Sequence, residues 1–242
     1  MGYVLILGAD SDIAKAIAMK YAKNGYGVYL AGKDTVKLEQ DAEQIETQYK
    51  AKVKVFRFDA LEFYNHKNFY NSLEPKPAGV ICAIDYLGDQ YESEEDFLET
   101  KKIIDMNFTG CVSILNIIAN DFEARREGFI VSITSTAGDR GRRSNYTYGS
   151  AKAGLTNYLS GLRSRLIEAD VQVTTVKTGA IFNKATNDEL FYIAPAKPHE
   201  IADDVFKTQQ KNRDIVYSKW QWKFLSVYFN NIPEMIFKRM GS

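Results

Sequence analysis

Short apolar segments rich in β-branched residues alternate along this chain with longer amphipathic segments. This alternation restricts the fold more than any other feature of the sequence. The first strand is predicted over Tyr3–Gly8. The first helix is predicted over Asp12–Asn24, where apolar residues recur at helical spacing. Strands that alternate with helices form a parallel sheet with right-handed crossovers and helices on both faces. The predicted fold is therefore a doubly wound α/β sheet that occupies residues 1–242 as a single domain.

The rest of the chain follows the same pattern. Further strands are predicted over Gly27–Gly32, Lys52–Asp59, Ala78–Ile84, Gly128–Thr134, Val171–Val176 and Ile215–Tyr217. Further helices are predicted over Asp34–Tyr49, Leu61–Leu73, about Phe97–Ala124 and Tyr146–Ala169. About seven parallel strands that open with a glycine turn are typical of the Rossmann-type, dinucleotide-binding architecture.

The charge balance and the cysteines restrict partners and location. Lys and Arg together number 31, as do Asp and Glu. The chain therefore lacks the basic excess that favours nucleic acid, and we expect no nucleic-acid partner. Cys82 and Cys111 lie in apolar runs, which predicts buried free thiols and a reducing compartment. With no basic segment before the first strand, and no apolar run of roughly 18 residues, the expected location is the cytoplasm.

The turn after the first strand is the predicted phosphate site. Gly8 makes the turn, and the helix that follows offers backbone N–H groups and the positive end of its dipole to a pyrophosphate. The expected cofactor contacts in this turn are Gly8, Asp10, Ser11, Asp12 and Ile13. Asp12 stands where this pattern usually has glycine. Its alternative role is to cap the helix.

The ends of the second and third strands predict which dinucleotide binds. A carboxylate at the end of the second strand accepts hydrogen bonds from the adenosine ribose and repels a 2′-phosphate. This chain has Lys33 there instead, which favours NADPH over NADH. The alternative is that Lys33 is only a solvated charge. Asp59 and Ala60, at the end of the third strand, are expected to contact the adenine.

Three residues form the predicted catalytic constellation. Tyr148 and Lys152 are four positions apart in a predicted helix and therefore share a face. A nearby ammonium favours the phenolate and is expected to lower the tyrosine pKa from its usual value near 10. Ser135, at the end of the fifth strand, is placed to hold a substrate oxygen while Tyr148 donates a proton. This chemistry needs no metal.

With these motifs the chain resembles the short-chain dehydrogenase/reductase family over nearly its whole length. The resemblance implies that Lys152 also holds the nicotinamide ribose, and that Asn107 holds a water that feeds protons to Lys152. It implies further cofactor contacts at Ala83, Gly179 and Ile181. It also implies a homodimer or tetramer. The chain departs from the family pattern in three places: Ala83-Ile84-Asp85 stands where the family usually has Asn-Ala-Gly, Thr178-Gly179 where it usually has Pro-Gly, and Asn183 where a Thr often contacts the nicotinamide amide.

Several segments resemble one branch of that family, the decaprenylphosphoryl-2-keto-ribose reductases. The segments are GADSDIA in the first turn, YLGD at 86–89, 137–154, and NIPEMIFKRM in the tail. The branch resemblance implies a keto-sugar substrate linked to a lipid or cell-envelope glycan, and a flavoprotein oxidase as partner. The tail, residues 219–242, is aromatic and basic. It is expected either to lie on the inner face of a membrane or to pack on the sheet or a second subunit.

Alternatives to this prediction stay open. Arg140, Arg142 and Arg143 precede Tyr148 and form either a clamp for a substrate phosphate or a solvated loop. The segment after Gly179, through about Lys197, is the predicted lid. The alternative substrate is a lipid-type ketone or a β-ketoacyl thioester. A third reading is a dinucleotide-sensing protein without catalysis, which the presence of all four candidate catalytic residues disfavours.

Overall fold

The computed structural model describes residues 2–179 and 196–239, and its centre is a parallel sheet. Within these residues the strands are β1 (Tyr3–Leu7), β2 (Gly27–Gly32), β3 (Val53–Arg57), β4 (Gly79–Cys82), β5 (Phe129–Ser135), β6 (Gln172–Thr178) and β7 (Ile215–Tyr217). Their order across the sheet is β3-β2-β1-β4-β5-β6-β7, and every neighbouring pair is parallel. The predicted single-domain, doubly wound Rossmann-type fold is confirmed.

Helices cover both faces of the sheet. They are α1 (Asp12–Lys23), α2 (Thr35–Tyr49), α3 (His66–Asn71), α4 (Gln90–Glu95), α5 (Phe97–Ile104), α6 (Gly110–Arg125), α7 (Tyr146–Leu166), α8 (Pro198–Gln210), α9 (Trp220–Asn231) and α10 (Glu234–Phe237). Apolar residues of α6 and α7 form the core on one face, and those of α1, α2 and α8 form it on the other. Because both faces are covered, the central strands β1, β2 and β4 are apolar at nearly every position, whereas β5 and β6 also bury Ser and Thr side chains.

The strand order fixes where a ligand can bind. β1 lies between β2 and β4. The chain proceeds from β1 to β2 and β3 on one side and then crosses to β4 on the other side, so the strand order reverses at β1. Ligands of doubly wound sheets bind in the crevice at such a switch point. The ends of β1, β2 and β4 therefore border one crevice, and β5 continues this edge toward α7.

The helix predicted over about Phe97–Ala124 is divided. α5 and α6 are joined by a π-helical turn, Asp105–Thr109. By length and composition the stretch Phe97–Arg125 passes a test for a membrane span, although 44% of its most apolar window is buried. Core helices pass the same test, and Ile114 and Phe122 are fully buried against the sheet.

Other boundaries differ from the predictions in detail. The predicted helix Leu61–Leu73 is a 3₁₀ turn, Phe63–Asn65, followed by the short α3. The buried free thiols are confirmed for Cys82 and Cys111. The lid segment falls outside the described residues for 180–195.

Candidate active site

The turn after β1 has the geometry of a phosphate-binding turn. Gly8 has φ +74°, and a Cβ there would lie 2.9 Å from both Ala83 O and Ile84 Cα, so only glycine fits. The Ser11 hydroxyl accepts the Ala14 N–H at 3.2 Å and caps α1. The alternative that Asp12 caps this helix is therefore wrong.

Asp12 is the first residue of α1, and its side chain is exposed. Ile13, half-buried, follows it. The first N–H groups of a helix have no intrahelical acceptor, so the start of α1 is available to an anion.

Asp10 connects this turn to the end of β2. Its carboxylate accepts the backbone N–H groups of Lys33 and Asp34, at 3.1 and 2.9 Å. A side chain at Gly32 would overlap this carboxylate, which explains the glycine there. The exposed Lys37 donates to Asp10 O at 2.6 Å. Asp10 therefore fixes the backbone at Lys33 and holds the Lys37 ammonium beside the turn.

The Lys33 ammonium lies 2.8 Å from the Asp59 carboxylate, whose second oxygen accepts the Leu61 N–H at 2.9 Å. Burial acts to raise the pKa of Asp59, but the hydrogen bonds from Lys33 and Leu61 and the Lys33 charge outweigh it, so the pKa is lowered. The structure thus joins two residues that the sequence assigned to separate parts of the cofactor.

A groove of about 210 Å³ runs from this ion pair toward the end of β4. Its lining residues are Gly8, Asp10, Ser11, Lys33, Phe58, Ala60, Ala83, Ile84, Asp85 and Met106. Five of the predicted cofactor contacts besides Asp10 therefore share one groove: Gly8, Ser11, Lys33, Ala60 and Ala83. Phe58 and Met106 were missed, because nothing in their local sequence distinguishes them from core residues. A glycine-only turn, a free helix start and a cationic end fit a dinucleotide.

The three predicted catalytic residues come together where β5 meets α7. Ser135 ends β5, and its hydroxyl accepts the Ala137 N–H at 3.1 Å. Tyr148 and Lys152 lie one turn apart on α7, both buried, with the ammonium 5.5 Å from the Tyr148 ring centroid. The Tyr148 hydroxyl donates to Asp85 Oδ1 at 2.9 Å.

The expected low pKa of Tyr148 is not found in this arrangement. Burial raises its pKa well above the usual value, the charge and hydrogen bond of Asp85 raise it further, and a hydrogen bond with Ser135 acts in the opposite direction. The Lys152 ammonium is paired with the same Asp85 oxygen at 2.9 Å, so its charge is not directed at the phenol alone. From the sequence, Asp85 was identified only as a departure from the family pattern, and its contacts with Tyr148 and Lys152 were not predicted.

Asn107 lies in the π-helical turn and is fully buried. Its amide donates to Tyr86 O at 2.6 Å and Ile103 O at 2.9 Å, and its Oδ1 accepts the Tyr86 N–H at 3.1 Å. The side chain therefore fixes the segment after β4 against the helix interruption, directly beside Asp85.

The three arginines before α7 have different environments. Arg140 donates to the Phe229 and Ile232 carbonyls and, at 2.7 Å, to Glu234, and so holds α9 and α10. Arg142 is half-buried over the Phe229 ring, 5.3 Å from its centroid, and burial lowers its pKa. Arg143 is exposed. Arg140 is therefore not available as a phosphate clamp.

The tail packs one face on the site and exposes the other. The Ser226 hydroxyl and the Lys177 ammonium both bind the carboxylate of Asp139, which lies four residues after Ser135 and has a side chain that is 7% exposed. The ring of Trp222 packs against Gly179 and leaves no space for a side chain there. The face of α9 that carries Trp222 and Ser226 therefore packs on the domain. The predicted contact Ile181 and the noted Asn183 lie outside the described residues.

Fold and site together define an α/β protein of the Rossmann class with a Ser–Tyr–Lys centre. The chain belongs to the short chain dehydrogenase family, whose profile matches residues 2–190. It is 28% identical over 240 residues to an uncharacterized oxidoreductase of Mycobacterium tuberculosis, covering 98% of this chain and 96% of that protein.

Two further likenesses concern other named proteins. The chain is 27% identical over 188 residues to the very-long-chain 3-oxoacyl-CoA reductase of Vanderwaltozyma polyspora, covering 72% of this chain and 54% of that protein. Its fold matches that of a short-chain dehydrogenase from Sphingobium yanoikuyae in complex with NADPH. The TM-score is 0.83 at 18% identity, with 97% of each chain covered.

Proposed function

We propose that this chain is an NADPH-dependent oxidoreductase that reduces a ketone to a secondary alcohol. The observation that carries the proposal is the grouping of Ser135, Tyr148 and Lys152 at the carboxyl edge of the sheet. Through Asp85, which contacts both Tyr148 and Lys152, this group adjoins the groove that begins at the glycine turn. A non-catalytic sensor has no need for such a centre.

A nicotinamide dinucleotide, when bound, supplies the hydride that the reaction requires. The Ser135 hydroxyl donates a hydrogen bond to the substrate carbonyl and orients it. Tyr148 gives its phenolic proton to the developing alkoxide. Lys152 holds a positive charge beside the phenol, and Asn107 fixes the backbone on which this group is assembled. These roles follow from the residue types and the contacts of this chain.

NADPH is the proposed cofactor, and NADH the less favoured one. Lys33 and Lys37 stand beside the groove where an adenosine 2′-phosphate would lie, and Asp34 is a helix cap that accepts the Lys37 N–H at 3.0 Å. Two cations at this position favour an additional phosphate.

The proposed substrate is an anionic keto-sugar linked to a lipid or a cell-envelope glycan precursor. Arg142 supports the anion, because its half-buried guanidinium has neither a hydrogen bond nor an ion pair with the described residues. Burying an unpaired cation is unfavourable, so an anion from the substrate stabilises it.

A lipid portion of the substrate is supported by the outer face of α9. Trp220, Phe224, Val227 and Tyr228 recur at helical spacing and are exposed, next to the exposed Lys223. Such a face suits the inner surface of a membrane. A flavoprotein oxidase partner would generate the ketone, and a cytoplasmic homodimer or tetramer is the proposed assembly; both rest on the family resemblance.

A second candidate substrate is a lipid-type ketone or β-ketoacyl thioester. The very-long-chain 3-oxoacyl-CoA reductase of Vanderwaltozyma polyspora favours this alternative, because its name specifies such a substrate. The two candidates differ in where the anion lies relative to the ketone: an acyl thioester carries its phosphates far from the keto group.

The test is turnover with 4-deuterated NADPH and a panel of phosphorylated keto-sugars and β-ketoacyl thioesters. We expect deuterium at the carbinol carbon of a keto-sugar product. Tyr148→Phe should lower kcat by about 10²- to 10⁴-fold while NADPH still binds. Deuterium transfer to the thioester alone would favour the second candidate. No dinucleotide binding would contradict the enzyme proposal.

A further inference from the structure

The Asp85 carboxylate joins the two main groups of the candidate catalytic centre. Its Oδ1 accepts the Tyr148 hydroxyl at 2.9 Å and pairs with the Lys152 ammonium at 2.9 Å. Its Oδ2 has no hydrogen-bond partner among the described residues. The side chain is 49% exposed and lines the groove. One carboxylate therefore reaches the phenol, the ammonium and the space where ligands enter.

The position of Asp85 is fixed by its neighbours on both sides. The Lys152 ammonium donates to Ile84 O at 3.1 Å. The Asn107 side chain makes two hydrogen bonds with the backbone of Tyr86. The residues before and after Asp85 are thus held by two other members of the centre, so its contact with Tyr148 is a property of the assembled site.

The charges of the site are balanced by Asp85. Lys152 is 1% exposed, and a buried ammonium is costly without a counter-ion. Burial acts to lower the pKa of Lys152, but Asp85 outweighs it and the pKa is raised. The other titratable groups near the ammonium are the buried thiols of Cys82 on β4 and Cys111 on α6. Neither contributes to the raised pKa of Tyr148, whose causes are burial and Asp85.

We propose that Asp85 is a positioning residue that keeps Tyr148 protonated and Lys152 charged, and so extends to higher pH the range in which Tyr148 can give its proton to a ketone. This inference rests on the proposed reductase function. In reduction, the carbonyl carbon would receive the hydride that a bound NADPH supplies, and the Tyr148 O–H bond breaks as its proton moves to the carbonyl oxygen. Lys152 returns a proton to the tyrosinate, and solvent reprotonates Lys152. Alcohol oxidation begins with a deprotonated Tyr148, which the Asp85 charge opposes.

The first experiment is a ligand-free titration of Tyr148 by carbon-13 NMR, in protein labelled at tyrosine Cζ. The chain has 15 tyrosines, so the signal is assigned by comparison with Tyr148→Phe. In Asp85→Asn we expect the phenolate to form at least one pH unit lower than in the wild type. Asp85→Gly, which restores the usual family residue, should act in the same direction. Glu95→Gln, an exposed carboxylate without a hydrogen bond among the described residues, is the control.

The second experiment is the pH profile of kcat/KM in both directions. In Asp85→Asn the alkaline limb for reduction and the acid limb for oxidation should both move to lower pH, because reduction needs the Tyr148 phenol and oxidation needs its phenolate. Identical Tyr148 titrations in wild type and Asp85→Asn would overturn the inference, as would a Tyr148 that stays protonated in both until unfolding. The titration needs neither cofactor nor substrate. A shifted titration in a protein without turnover would therefore contradict only the reductase function.

Discussion

The Lys33 ammonium and the Asp59 carboxylate form an ion pair, 2.8 Å apart, beside the groove, where β2 and β3 end. The Lys33 charge is already paired with Asp59 within the protein, so a 2′-phosphate would share the Lys33 ammonium with that carboxylate. Lys37 lies four residues further along and is exposed, with no carboxylate partner among the described residues. We infer that the two lysines act together on the phosphate.

The first prediction concerns this division of the charge. Lys33→Ala and Lys37→Ala should each weaken NADPH binding by about five- to tenfold, as expected for partly exposed charge pairs, and the double variant by more. NADH binding should change little. Fluorescence titration of both dinucleotides measures the effect, with Lys52→Ala, an exposed lysine beside β3, as control. Equal losses for NADH and NADPH would contradict a role in phosphate selection.

The second prediction concerns Arg142. Arg142→Ala should raise KM for a phosphorylated ketone by about tenfold or more, because a hydrogen-bonded charge pair contributes roughly 1.5–3 kcal/mol. KM for a neutral ketone should stay close to the wild-type value, and so should kcat.

Arg143→Ala is the matched control, since it removes the same charge from an exposed neighbouring position. Parallel steady-state assays of the two variants on both substrates give the comparison. If Arg142→Ala and Arg143→Ala had equal effects, long-range charge and not a specific contact would be responsible.

The core of the fold could be predicted from the sequence, because apolar periodicity reports burial directly. The strands at Gly27–Gly32 and Ile215–Tyr217 were predicted with the bounds that the structure has. α4 and α8 were missed. α4 is only six residues long. α8 does carry apolar residues at helical spacing, Ile201, Ala202 and Val205, after Pro198 at its first position, but this pattern was not assigned to a helix.

The candidate site could be predicted in its members but not in its connections. Ser135, Tyr148 and Lys152 were found from strand-end position and helical spacing. The pairing of Asp85 with Tyr148 and Lys152 joins residues more than sixty positions apart, and no local pattern encodes it. The same holds for Arg140, whose partners lie in the tail.

The third prediction uses Arg140. Arg140→Ala removes hydrogen bonds to two carbonyls at the end of α9 and to Glu234. It also removes the guanidinium group that lies over the Phe237 ring, 3.8 Å from the ring centroid. We expect the free energy of unfolding of Arg140→Ala to fall by about 1–3 kcal/mol, and its Tm to fall by roughly 2–4 °C for each kcal/mol.

Local detachment of the tail can be followed separately from global unfolding. The chain has two tryptophans, and both are on α9, so emission excited selectively at tryptophan, and not at the 15 tyrosines, reports this helix alone. Emission should shift to the red in Arg140→Ala as Trp222 becomes exposed. Glu234→Gln, which leaves both carbonyl contacts, should shift it less. An unchanged spectrum would mean that Trp222 stays on Gly179 without Arg140.

The fourth prediction concerns the outer face of α9. If the substrate is lipid-linked, the wild type should float with phosphatidylglycerol vesicles, because exposed aromatic residues and Lys223 favour an anionic interface. Phe224→Glu should abolish flotation, because it places a carboxylate in the centre of this face. Asn230→Glu introduces the same charge at an exposed position elsewhere on α9 and should float as the wild type does.

These surface variants are more informative than removal of the tail, because truncation would also uncover Gly179 and leave Asp139 without Ser226. If the wild type did not float, the exposed face of α9 would instead be assigned to contact with another protein chain. Sedimentation of wild type and Phe224→Glu would then distinguish a self-contact: a smaller oligomer for the variant would identify α9 as a subunit interface. The lipid-linked substrate would lose the support that it draws from the tail, while the reductase chemistry at Tyr148 would be unaffected.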